Sequence, residues 1–152
     1  MLKEHIEKDS VIRLISHNDA DGISAAAVIA NALAEEDVQF HATLVPRLKE
    51  DIVNQLRHES YDLFIFSDMG SAFVKEFNTY KKDVIIADHH QIDGTESESN
   101  VVHINPHIFG IDGSKDLSGA GSSYLTVRGL GKEHLAYFAL IGAFGDMQGQ
   151  NG

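Results

Sequence analysis

Short hydrophobic runs of strand length recur down the chain, and stretches with helical spacing alternate with them. No other feature of the sequence limits the fold as strongly. Residues 11–16 (VIRLIS) read as a first strand, 38–45 alternate enough for a second, and 62–67 (DLFIFS) form the continuous apolar run of a strand covered on both faces. Residues 84–87 (VIIA) make a fourth strand and 101–105 a fifth. The spacing predicts helices over 22–36 and 48–58, a short one over 71–80, and two more over 119–130 and 134–144. Residues 91–100 read as a polar loop and 108–117 as irregular. Apolar strands alternating with helices predict an α/β fold, a doubly wound, mainly parallel five-stranded sheet with helices on both faces. A chain of 152 residues fits one domain, 1–152, with no internal repeat.

Composition removes several classes. There is no Cys, so disulfides and thiolate metal sites are out. No apolar run approaches a membrane span, and the first ten residues lack the apolar core of a signal peptide. A soluble, cytoplasmic protein with no membrane partner is the expectation. The formal net charge is −11, with 23 Asp and Glu against 12 Lys and Arg, which opposes a broad nucleic-acid footprint. An anionic substrate would have to be drawn by something else, and bound divalent cations can do that locally.

Acids and His follow directly after three of the predicted strands: His17, Asp19 and Asp21 after the first, Asp68 after the third, Asp88, His89 and His90 after the fourth. Ligands of open parallel sheets bind at the carboxyl ends of the strands, so these residues should converge on one edge. If HNDADG stays extended, His17, Asp19 and Asp21 all point one way. The plainer alternative is a turn in which Asp21 caps the following helix. An EF-hand loop is excluded, because its twelfth position would be Val28 rather than Glu. Asp68 alone would pass for a turn former. In ADHH, adjacent side chains diverge, so one His can bind metal while the other faces substrate. Asp88 would then fix a ring tautomer. Asp146 in GAFGDMQG follows the last apolar helix and would otherwise be a simple helix-end residue.

Asp19, Asp21, Asp68, Asp88 and Asp146 could not all stay ionised in one pocket without cations. Two divalent ions relieve that repulsion, and carboxylates with a few imidazoles suit Mn²⁺, the favoured choice, or Mg²⁺. Such a pair, about 3.5–4 Å apart, is the common device for phosphoester hydrolysis. SGAGSS at 118–123 is a second candidate site. Its Ser118, Gly119, Gly121 and Ser122 stand at a helix start whose N–H groups suit a substrate phosphate, although tight packing of that helix on the sheet is the simpler reading.

HNDADG, FSDMG, ADHH and the late GD resemble, in order, the motifs of the DHH phosphoesterase superfamily, from residue 11 to about 149. HNDADG and LSGAG look most like the RecJ-like single-strand exonucleases, with the archaeal RecJ-like type most similar. The resemblance implies hydrolysis of phosphodiester bonds in single-stranded DNA or RNA by a two-ion mechanism. It implies that Asp19, Asp21, Asp68, His89 and Asp146 hold the metals, with Asp68 as the bridge and His17 as a further ligand. His90 would contact the scissile phosphate, with Asp88 behind it. It also implies roles in DNA repair or replication, and the GINS replication complex as a possible partner. Family members usually carry a C-terminal domain that grips substrate, so a truncated catalytic domain is expected.

Other readings compete. A phosphatase, a nuclease for very short RNA or a pyrophosphatase of the same superfamily would use the same metals, although pyrophosphatases space the first His differently. A haloacid-dehalogenase-like phosphatase would make Asp19 a nucleophile but leaves ADHH unexplained. A replication scaffold of the same fold would be expected to have lost the ligand set.

Overall fold

The computed structural model of the protein describes residues 1–148. In chain order it contains α1 (Leu2–Glu7), β1 (Ile12–His17), α2 (Ala20–Glu35), β2 (Phe40–Val45), α3 (Glu50–Leu56), β3 (Leu63–Ser67), α4 (Val74–Phe77), β4 (Asp83–Ala87), β5 (Val101–Ile104), α5 (Gly119–Arg128) and α6 (Ala136–Gly145). Single 3₁₀ turns occupy Ser71–Phe73, Pro106–Phe109 and Glu133–Leu135.

The five strands form one sheet in the order β2-β1-β3-β4-β5, and every neighbouring pair is parallel. Side chains alternate between two separate cores, as the period of a strand requires. Ile12, Leu14, Leu63, Ile65 and Ile85 face a layer that includes Val28, Ile29 and Leu33 of α2 and Val127 of α5. Ile15, Phe64, Phe66, Val84 and Ile86 face Val53 and Leu56 of α3 and Val74 and Phe77 of α4. The sheet is therefore doubly wound. Being covered on both sides explains why β3 and β4 read as unbroken apolar runs.

This winding places the crevice. β1 and β3 are neighbours, yet the helix after β1 packs on one face and the helix after β3 on the other. The connections leaving their carboxyl ends consequently diverge, the situation in which open sheets bind ligands. The register pairs Ser16 with Ser67 and Ser67 with Ala87, so His17, Asp68 and Asp88 follow at one level across three strands. Ser67 Oγ donates to Ser16 Oγ at 2.8 Å, which donates in turn to the Gly22 carbonyl at 2.7 Å. These buried bonds tie the two strand ends to the start of α2.

Two elements differ from the sequence expectation. The charged N-terminus forms α1, because Leu2 and His5 lie on one helical face and are buried. The expected helix over 71–80 is instead a 3₁₀ turn followed by the single turn of α4, entered through Gly70 at φ 117° and with the Ser71 N–H bonded to Asp88. In α6, Leu140, Ile141 and Phe144 are 63%, 53% and 77% exposed, so apolarity there does not mark the core. No helix among the described residues is long and apolar enough to cross a membrane.

Candidate metal centre

The first loop does not stay extended. Asp19 is the N-cap of α2, with Oδ1 accepting from the Gly22 N–H at 2.9 Å, and Asp21 already lies in the first helical turn. The expectation that His17, Asp19 and Asp21 face one way is therefore corrected: the turn into α2 separates the two carboxylates. So is the alternative that Asp21 is the cap. A side chain at Gly22 would overlap the His17 backbone, which is why glycine stands there. The ring of His17 bonds the Pro46 carbonyl at 2.8 Å through Nε2. A carbonyl only accepts, so Nε2 carries the proton. Nδ1 then faces Asp19 Oδ2 at 2.6 Å and Asp68 Oδ2 at 3.8 Å.

Asp68 ends β3 with φ 57°, a left-handed conformation that Asp tolerates better than most residues. Its N–H bonds the Ala87 carbonyl at 2.8 Å and holds the chain in place. The side chain is 2% exposed, and Oδ1 is buried with no hydrogen-bond partner among the described residues. That oxygen lies 3.3 Å from Nε2 of His89. His89 Nδ1 bonds the Gly113 carbonyl at 2.7 Å, so this nitrogen is the donor. Burial pushes the Asp68 carboxyl up to about 6, and the negative charges of Asp21 and Asp88 add to the shift. Burial works against a charged ring at His89, but Asp68, the Gly113 carbonyl and Asp21 outweigh it and raise the imidazole to about 9. Both shifts say that the gap between the two groups favours a positive charge.

Asp21 is 3% exposed, and its carboxylate caps α5. Oδ2 accepts from the Gly119 N–H at 2.7 Å and Oδ1 from the Ala120 N–H at 3.0 Å. The start of α5 does bind an anion, but the anion is a side chain of the protein. The Gly121 N–H goes to Ser118 Oγ at 3.2 Å, and Ser122 Oγ donates to the Asp88 carbonyl at 3.1 Å. Ser118, Gly119, Gly121 and Ser122 are all buried. The expectation that they cradle a substrate phosphate is corrected accordingly, and tight packing is what the structure has. A Cβ at Gly119 would overlap the Asp68 carboxylate, and one at Gly142 of α6 would overlap Asp21.

Asp88 is 1% exposed and accepts from the backbone N–H groups of Ser71, His89 and His90 and from His90 Nδ1 at 2.7 Å. Burial alone would raise its carboxyl, but the His90 ring and the Ser71 contacts outweigh that and hold it well below the ordinary range. The same bond raises the His90 imidazole, which keeps Nε2 free on a side chain that is 59% exposed. Asp146 follows α6, its Oδ2 lying 3.7 Å from His89 Nδ1 and accepting from Gln148 Nε2 at 3.0 Å. That is the donating side of the His89 ring, whereas Asp21 Oδ2 faces Nε2 at 3.8 Å.

Three overlapping groups result, each with one candidate ligand atom per residue within 4.8 Å of the others: His17, Asp19 and Asp68; Asp68, His89 and His90; Asp21, His89 and Asp146. Asp68 is common to the first two, with Oδ2 towards His17 and Oδ1 towards His89. The set fits divalent cations, because a buried carboxylate oxygen without a donor beside a bare imidazole nitrogen is an arrangement that an ion satisfies. Sequence reasoning missed the layer behind His90. Asn105 Nδ2 donates to the His90 carbonyl at 2.9 Å and to Ser71 Oγ at 2.8 Å, and Ser71 Oγ bonds His103 Nε2 at 2.8 Å. Burial lowers the His103 imidazole, in keeping with an acceptor nitrogen there. A signal existed, since Asn105 is a polar residue closing an apolar strand just as Asp68 is.

Fold and rim together define a doubly wound α/β domain with a carboxylate–imidazole centre at a topological switch point. The model described as the DHH family, N-terminal domain, matches residues 11–143, and the chain belongs to that family. An uncharacterised protein of Methanocaldococcus jannaschii is 38% identical over 142 residues, which are 90% of this chain and 33% of that protein. The single-stranded-DNA-specific exonuclease RecJ of Thermus thermophilus is 29% identical over 111 residues, 68% of this chain and 17% of that protein. The crystal structure of RecJ from that organism in complex with Mn²⁺ matches 97% of this chain and 23% of its own, with TM-score 0.76 and 25% identity. CDC45 from Entamoeba histolytica, at 17% identity and TM-score 0.72 over 96% of this chain and 32% of that one, shares the fold alone. The chain thus spans a third or less of the curated relatives it matches.

Proposed function

We propose that this domain hydrolyses phosphodiester bonds in single-stranded nucleic acid with two divalent cations, Mn²⁺ or Mg²⁺, as the catalytic part of a RecJ-like phosphoesterase. The observation that carries the reading is Asp68: a buried carboxylate with one oxygen turned to each of two neighbouring ligand groups. His17, Asp19 and Asp68 Oδ2 would hold one ion. Asp21, Asp68 Oδ1, His89 Nε2 and Asp146 would hold the other, once the Asp146 carboxylate swings towards the Nε2 side. When bound, the ions supply charge neutralisation at the phosphoryl oxygens and a water of lowered pKa.

The chain's own groups do the rest. His90, oriented by Asp88 through Nδ1, presents Nε2 to the scissile phosphate and donates a hydrogen bond as its charge develops. Asp88 stays ionised and keeps that tautomer. With a formal charge of −11, the domain attracts a polyanion only where cations have reversed the local sign.

The test is hydrolysis of end-labelled single-stranded DNA and RNA in Mn²⁺, wild type beside Asp68→Ala. Loss of cleavage in the variant is expected. Cleavage at the wild-type rate would remove the centre from the reaction and overturn the proposal.

A further inference from the structure

Beside the carboxylates the rim opens into a cavity of about 430 Å³, within the range of small-ligand sites. His17, Asp68, Asp88 and His90 contribute to its lining, so it is continuous with the centre described above. The remainder is of different chemistry. Leu48, Met69, Ala72 and Phe73 make much of it apolar, and Arg47 is the one Lys or Arg lining it among the described residues. Leu48 and Met69 are buried at 7% and 6% exposure, which fixes that wall. Phe73 is half-buried where the 3₁₀ turn passes into α4, with its ring tilted on the buried Phe77 at a centroid distance of 6.4 Å.

Two demands meet here. The occupant needs an anionic group for the cation-loaded carboxylates and, in the same cavity, an apolar group for the Phe73 side. A nucleotide carries both on one sugar. We propose that this cavity takes the nucleobase of the nucleotide whose phosphate sits on the carboxylate centre, with the Phe73 ring as its stacking platform. The inference rests on the phosphodiesterase reading. The cavity is poor in groups able to read a base edge: the His90 Nδ1 and Asp88 are bonded to each other, and the Pro46 carbonyl is held by His17. Recognition therefore works by stacking, which tolerates any base, and Arg47 can add a cation–π or phosphate contact.

The experiment compares adenosine 5′-monophosphate with ribose 5-phosphate by calorimetry in Mn²⁺, with thermal unfolding recorded with and without the ion. The nucleotide should bind about tenfold more tightly, the effect of one stacked base. Phe73→Ala should remove that difference and leave ribose 5-phosphate affinity and the Mn²⁺-induced shift in Tm as they are. Phe73→Tyr, which keeps the ring, should restore it. Equal binding of the two ligands to a wild type that Mn²⁺ stabilises would overturn the base pocket alone. So would a Phe73→Ala variant that still prefers the nucleotide. A wild type that Mn²⁺ does not stabilise would sink this inference together with the reading beneath it.

Discussion

Oδ1 of Asp68 lies 3.3 Å from Nε2 of His89, and among the described residues that oxygen has no hydrogen-bond partner. With the ring proton given to Gly113, two lone pairs confront each other in a buried gap. A proton or a cation has to stand there, and this relationship decides how the domain should respond to metal, pH and substitution.

Replacing the carboxylate by its amide tests the gap directly. Asp68→Asn removes the carboxylate that holds the His89 ring proton, so below pH 9 the ion-free variant should unfold at lower temperature than wild type, by about 1–3 kcal/mol. It should also lose the rise in Tm that Mn²⁺ produces in wild type. Thermal unfolding with chelator and with millimolar Mn²⁺ reads both. A variant that keeps the full Mn²⁺ shift would take Asp68 out of the binding site.

Protons compete for the same position. The His89 imidazole is raised to about 9 and the Asp68 carboxyl to about 6, so binding an ion below pH 9 must expel a proton from the ring. Mn²⁺ affinity should therefore climb about tenfold per pH unit between 6 and 9. In the absence of metal the sign reverses. A basic group with raised folded pKa stabilises fully below its ordinary value near 6.5, and that stabilisation is lost as pH rises through about 9. Titrations of bound Mn²⁺ by electron paramagnetic resonance, beside chemical denaturation in chelator, check the two slopes. A pH-independent affinity would count against His89 as a ligand.

His90 should separate metal binding from chemistry. His90→Ala removes a half-exposed ring and leaves Asp68 and His89 in place, so the Mn²⁺ shift in Tm should persist. Cleavage of labelled single strands should fall by about 10²–10⁴. A variant within threefold of wild-type rate would assign the phosphate contact elsewhere.

Gly142 tests the packing behind Asp21. A methyl group there would overlap the Asp21 carboxylate and the side chain of Ala120. Gly142→Ala should cost about 1–3 kcal/mol in urea unfolding, the usual penalty of overpacking. It should weaken Mn²⁺ binding as well, because Asp21 can move only by giving up the amides of α5. Unchanged stability would mean that α6 yields more easily than its packing suggests.

Much of this architecture is legible in the sequence. The unbroken apolar runs at β3 and β4 announced a sheet covered on both faces, and the acids and imidazoles closing β1, β3 and β4 announced the loaded rim. The loop HNDADG does not show its own geometry, because helix α2 begins at Ala20, one residue after its cap, and rotates Asp21 away from Asp19. SGAGSS looked like a phosphate cradle because a free helix start and one already capped by a distant carboxylate have the same local sequence. Asp21 and Gly119 are 98 residues apart.

By itself the chain of residues determined the period of its strands and which strand ends carry ionisable groups, because both depend on neighbours in sequence. Tertiary structure decided which strand ends stand side by side, which ring nitrogen of His89 keeps its proton, and which carboxylate is used up on a helix start. Those outcomes depend on partners distant along the chain, such as Gly113 for His89 and Gly119 for Asp21. A hydrogen bond to such a partner exists only once the sheet has been wound.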